Sequence, residues 1–229
     1  MRLDKYICDS TEISRKDAKT IIRRGEVTVN DKVCKNAAYH VADTDKIVHD
    51  NNELTLIGLR YIMLHKPMDM ICSTVDEAYP SILNLIDVQK HGDLRIAGRL
   101  DADTTGLILI SDDGKWTHRI MSPKSDCNKT YQVWLAEPIS AEAIAQIESG
   151  VQLNNEKELT KPATVEIIDE KQVNLTISEG KYHQVKRMFA ATGNKVTYLH
   201  RTQIGALKLD ADLPEGEWRY LTAEEIAFY

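Results

Sequence analysis

The residues best placed to do chemistry sit together near the middle of the chain, in "AGRLDADTTGLILISDDG" at 97–114. Asp101 and Asp103 stand two apart, and Arg99 comes two residues before the first of them. A carboxylate in such a setting can act as a nucleophile, as a base, or as part of a divalent-metal site. It can also do no more than turn the loop, a role that aspartate favours. The metal reading lacks a third hard ligand nearby, so no metal is expected. The next segment of chain fixes the position of the acids. Residues 107–110 are a short apolar run bounded by Gly106 and by Asp112-Asp113-Gly114, the pattern of a strand buried on both faces. The acids therefore lie on a loop that feeds directly into a rigid core strand.

Other strands must hold that loop in place. Alternation and turn signals predict strands at 61–65, 106–110, 130–135, 164–168, 173–178 and 195–199, and helices at 82–85, 115–120, 141–149 and 183–191. Strands follow strands more often than they alternate with helices, which predicts an α+β fold with a mostly antiparallel sheet. In "NKTYQVWL" (128–135), Tyr131, Val133 and Leu135 share one strand face while Gln132 and Trp134 share the other. By itself, such a tyrosine reads as core filler. In "SEGKYHQVKRMFAATG" (178–193) a strand stops at Gly180 and a helix closes at Gly193. Val185, Met188 and Phe189 form its core stripe, leaving Lys186 and Arg187 at the stripe's edges. His183 reads as a hydrogen-bonded structural residue.

The first sixty residues look self-contained. A short helix at 3–9 precedes a second that Ser14 caps and Gly25 ends. "EVTVNDKVC" then places Val27, Val29 and Val33 around Asn30-Asp31, a hairpin signal. On the second helix Arg15, Lys19 and Arg23 recur every four residues as a basic stripe, with Lys16 and Arg24 beside it. By itself such a stripe reads first as a solvated helix face, with a phosphate-binding face as the alternative. "DNNELTLIGLR" (50–60) reads as a linker, which gives two domains, 1–59 and 60–229.

Composition excludes several classes. With 42% hydrophobic and 28% charged residues among 229, the chain has the make-up of a globular protein with a sizeable core. No apolar stretch reaches membrane-span length and the first residues lack a signal-peptide core, so a cytoplasmic protein without a membrane partner is expected. Cys8, Cys34, Cys72 and Cys127 are scattered and read as reduced thiols. GxGxxG, Walker, HExxH and GxSxG patterns are all missing from the sequence, which removes the usual nucleotide, zinc-protease and serine-hydrolase readings. The net charge of −6 argues mildly against a nucleic-acid partner, but its distribution does not. Residues 1–60 carry 11 Lys and Arg against 10 Asp and Glu, and the stretch 181–201 contains Lys181, Lys186, Arg187, Lys195 and Arg201 with no acid. Local patches, rather than the total, set what a phosphate backbone feels.

These motifs together carry a resemblance. "GRLDADTTGLILISDDG" is similar to the G-R-L-D-x-x-T-x-G-L motif of pseudouridine synthases, and "KTY" and "EGKYHQVKRM" resemble that family's other two active-site segments, in the same order. "RLDKYI" and "SRKDAKTIIRRGEVTVN" resemble the small α-L RNA-binding module of a ribosomal protein and of tyrosyl-tRNA synthetases. This pairing, with "NNEKELTKPA" and "HQVKRMFAATGN", resembles the RsuA subfamily over the whole chain. In one place the sequence departs from the family: Asp69 in "HKPMD" stands where the family often has glycine, a position at which a positive φ is unfavourable for a side chain.

The resemblance implies isomerisation of uridine to pseudouridine in small-subunit ribosomal RNA, at uridine 516 of 16S RNA, without any cofactor. It implies Asp101 as the catalytic carboxylate, Lys186 as its cationic partner, and Tyr131 as the residue stacking on the uracil. Arg99 becomes the candidate for holding the flipped nucleotide's backbone, with an ion pair to a neighbouring aspartate as its alternative role. Arg2, Lys5, Arg15, Lys19, Arg23 and Arg24 become the RNA-binding candidates of the first domain. A monomer acting on ribosomal RNA, as free RNA or in a ribonucleoprotein assembly intermediate, is the expectation. Two other classes stand beside it: a catalytically silent ribosome-assembly factor, and a glycosidase using Asp101 with a second acid.

Overall fold

A computed structural model describes residues 1–125 and 127–229. The chain divides into two units, Met1–Leu59 with Val88–His91, and Arg60–Asp87 with Gly92–Tyr229. That the short Val88–His91 segment groups with the first unit is announced by no local pattern in the sequence.

In the first unit, α1 (Leu3–Ser10) and α2 (Arg15–Arg24) share one core with a small antiparallel sheet of order β2-β1-β3-β4. These strands are β1 (Val27–Val29), β2 (Lys32–Val33), β3 (Ile47–His49) and β4 (Asn52–Glu53). The second helix starts where Ser14 accepts a hydrogen bond from the Asp17 amide, and ends at Gly25, whose φ of 80° lets its N–H turn back to the last carbonyls. Both hairpins turn on a pair of residues with positive φ, Asn30-Asp31 and Asp50-Asn51, the conformation that matches the strands' twist. The second of these corrects the linker expected at 50–60. Its first residues are turn chemistry between paired strands, not a free connection.

The second unit is built on one mixed sheet, with nine strands among the described residues. Its main path runs β13 (Trp218–Tyr220), β5 (Tyr61–Lys66), β7 (Thr105–Ser111), β11 (Val196–Ile204), β8 (Lys129–Leu135), β10 (Gln172–Ile177), β9 (Thr164–Asp169). Two short strands sit off that path, β6 (Arg95–Ala97) on β7 and β12 (Leu207–Lys208) on β11. Every pairing is antiparallel except β7 with β11. The helices α3 (Gly114–Met121), α4 (Ala141–Ser149), α5 (Gln184–Ala191) and α6 (Ala223–Ile226) complete an α+β fold. As the apolar run requires, β7 is buried along its whole length.

Several elements differ from the sequence reading. The strand expected at 195–199 continues to Ile204, because the polar His200 and Arg201 find partners inside the sheet. The strands β6, β12 and β13 and the helix α6 are too short to show a period. Residues Ile82–Leu85 form a 3-10 turn capped by Ser81. Asp69 adopts a φ of 60° in spite of its side chain, and its amide donates to the Ala102 carbonyl at 2.9 Å. Among the described residues, no helix is long and apolar enough to cross a membrane.

Candidate active site

The loop that carries Asp101 is fastened on both sides by buried cations. Lys66, at the end of β5, is fully buried, and its Nζ donates to the carbonyls of Pro67, Ala102 and Thr104 at 2.9, 3.1 and 2.8 Å. Burial pushes its pKa down from the ordinary lysine value. On the other side Arg201 is 1% exposed; its guanidinium donates to the Leu107 carbonyl at 2.9 Å and to the Gly98 carbonyl at 3.1 Å. Gly106, opposite Arg201 in the parallel pairing, has a φ of 110°. A Cβ there would lie 2.3 Å from the Arg201 carbonyl oxygen, so only glycine lets the two backbones meet. The loop between these anchors is short and has little freedom to move.

Helix α5 brings the rest of the site. Lys186 Nζ lies 3.2 Å from Asp101 Oδ2 and 2.5 Å from Asp103 Oδ1. His183 Nε2 lies 3.2 Å from the other Asp101 oxygen. Burial works against the charge of Asp103, but the hydrogen bond and charge of Lys186 outweigh it and hold that carboxyl below the usual range. Asp101 thus has a cation on one oxygen and an imidazole on the other. It lines a cleft of about 840 Å³, a size suited to a small molecule or a nucleoside, together with Arg99, Tyr131, Lys129 and Lys186. Tyr131 sits on β8 between Arg201 on β11 and Leu175 on β10, is 7% exposed, and has the Arg201 guanidinium 6.0 Å from its ring centre.

The four site residues expected from the sequence, Arg99, Asp101, Tyr131 and Lys186, therefore line one cleft. No ion pair joins Arg99 to Asp101 or Asp103 among the described residues; Lys186 and His183 hold those partners instead. His183, expected as a hydrogen-bonded structural residue, instead has its Nε2 3.2 Å from an oxygen of the candidate catalytic carboxylate. Lys66 and Arg201 escape the sequence reading because a lone Lys or Arg in a strand is ordinarily an exposed residue. The acid-free stretch 181–201 is not an open basic patch. Lys181 and Arg187 both pair with Glu156, Lys186 takes the two aspartates, and Arg201 is buried.

In the first unit Arg15, Lys19 and Arg23 are exposed on α2, beside the buried Ala18 and Ile22. Arg2 and Arg15 are also committed to the buried Asp4, with nitrogens 2.9 and 3.6 Å from Oδ2. Lys5 pairs with Asp9 at 2.5 Å, and Arg24 lies 3.9 Å from Glu26.

The site is thus an acid held between a lysine and a histidine, on a doubly anchored loop beside a buried tyrosine. The chain belongs to the RNA pseudouridylate synthase family, whose model matches residues 60–191, and an S4 domain model matches residues 1–47. It is a pseudouridine synthase. It is 53% identical over 227 residues to ribosomal small subunit pseudouridine synthase A of Vibrio cholerae, covering 99% of this chain and 98% of the relative. The Escherichia coli K12 protein of the same name is 51% identical over 228 residues, 99% of each chain. A crystal structure of a pseudouridylate synthase superposes with a TM-score of 0.72 at 48% identity, covering 99% of this chain and 98% of that one.

Proposed function

We propose that this protein converts one uridine of small-subunit ribosomal RNA, uridine 516 of the 16S molecule, to pseudouridine, with Asp101 as the catalytic carboxylate. The observation that carries the reading is the position of Asp101, clamped between Lys186 and His183 in a cleft of nucleoside size. The relatives' shared name supplies the substrate class.

The ribose C1′–N1 bond breaks, the freed uracil turns, and C5 bonds to C1′. The C5 proton leaves and N1 ends protonated, so mass is conserved and no electrons are exchanged. Attack by Asp101 on C1′ and abstraction of a ribose proton by Asp101 both use the carboxylate that Lys186 pairs with. Tyr131 stacks on the uracil, and Arg99 holds the extruded nucleotide's backbone at the cleft rim. The protein works as a cytoplasmic monomer on ribosomal RNA, as free RNA or within an assembly intermediate, with the basic face of α2 adding sequence-independent affinity. Pseudouridine mapping on small-subunit RNA, with and without the protein, tests the reading. Pseudouridine at position 516 that depends on the protein supports it. An unchanged map, or release of free uracil, overturns it.

A further inference from the structure

At the cleft mouth stands an aromatic side chain that the isomerisation chemistry does not use. Tyr182 is 76% exposed, the most exposed large hydrophobic side chain among the described residues, and it lines the same cleft as Asp101. Its ring lies on the imidazole of His183, with centroids 3.8 Å apart and planes 20° from parallel. His183 in turn reaches Asp101. The turn beneath is held firmly: Arg187 Nη1 donates to the Tyr182 carbonyl at 2.9 Å, the Arg187 amide to the His183 carbonyl at 3.0 Å, and the Lys181 amide to the Gln184 side chain at 2.8 Å. His183 keeps a φ of 46° there, a conformation that a side chain adopts at some cost.

We infer that Tyr182 is a base-stacking residue, which receives on its outer face the RNA base next to the target uridine. One face of the ring is occupied by His183, and the exposure of the side chain leaves the other to solvent. A planar aromatic partner is what such a surface accepts without hydrogen-bond readout. The target base itself must go deeper, to Asp101, so the occupant at the rim is its neighbour. Tyr182 is a positioning residue: it acts through the placement of the strand, and His183 links that placement to the carboxylate.

The stack rests on the proposed RNA substrate, and its test separates the two. The full-length protein is titrated with a small-subunit RNA fragment that carries 2-aminopurine on either side of the target uridine. The wild type should quench one of the two probes. Tyr182→Ala and Tyr182→Leu should lose that quenching and weaken Kd by about five- to a hundred-fold, while the single-turnover rate at saturating protein changes by less than about threefold. Tyr182→Phe should restore both, and all three variants should melt like the wild type because the side chain packs on no core. Alanine and leucine variants that bind and quench like the wild type overturn the stack, and so does a phenylalanine variant as weak as alanine. A wild type that neither binds nor modifies the target uridine, in the free fragment or in a small-subunit assembly intermediate, overturns the RNA reading, and the stack falls with it.

Discussion

Lys186 is shared by two carboxylates, and the two are not equivalent. Asp103 is 63% exposed and sits at the outer end of the pair, whereas Asp101 faces the cleft and also meets His183. An exposed ion pair is worth little, so Asp103→Asn should leave the melting temperature and turnover close to wild type, with Lys186 kept on Asp101. Lys186→Met removes a charge-assisted hydrogen bond from the acting group. It should lower the single-turnover rate about ten-fold or more, with the fold intact. Equal losses from both variants would show that the two acids act as one unit. Asp101→Asn should abolish turnover while RNA affinity, measured by filter binding, stays near wild type. A variant that retains a tenth of the wild-type rate would remove Asp101 from the chemistry.

At the scale of elements, the parallel contact of β7 with β11 sets the geometry of the site. Gly106→Ala would drive a Cβ into the Arg201 backbone at a φ of 110°, costing at least about 3 kcal/mol and lowering the melting temperature by about 6 °C or more. The same contact makes a pH prediction. His200 donates or accepts at Thr105 Oγ1, 2.7 Å away, and burial, then the neighbouring His65, push its pKa below the ordinary histidine value, against Glu215. Between that lowered value and about 6.5 the unfolded chain binds more protons than the native one, so stability rises with pH there. The contribution is complete above about 6.5 and is lost as the pH falls towards the folded-state pKa, by at most about 1.4 kcal/mol per unit for one proton. Thermal melts between about pH 5 and 7 should show this slope, and His200→Asn should flatten it. The sequence reveals β7 because its burial is written as an unbroken apolar run, and it places the Asp101 loop beside that strand. It hides the second half of β11, where His200 and Arg201 look like loop residues until the carbonyls and the Thr105 hydroxyl that satisfy them are in view. Periodicity reports which residues avoid water, and it cannot report which polar groups have found partners inside.

For the whole molecule, chemistry and charge belong to different units: the candidate carboxylate to the second, and the basic face of α2 to the first. If that face meets phosphate, reversing its charges should weaken RNA binding and leave the chemical step alone. The choice of residues matters. Arg15 lies 3.6 Å from the buried Asp4, which Arg2 also holds, and the Arg2 hydrogen bond keeps the Asp4 carboxyl below the usual range. Reversing Arg15 would set a second acid beside a buried one and damage the fold of the unit. Lys19 and Arg23 are exposed and have no ion pair among the described residues. Lys19→Glu combined with Arg23→Glu should therefore melt like the wild type. If each of the two side chains meets one phosphate, the double variant should lower the slope of log K against log salt by about 1.8 on duplex RNA, or about 1.4 on a single strand. Single-turnover rates at saturating protein should stay within about twofold of wild type, because no cleft residue has changed. The measurement is RNA binding at several salt concentrations beside a thermal melt. A well-folded double variant with the wild-type slope would make the stripe a solvated face, and sequence-independent affinity would then have to come from the cleft side of the second unit.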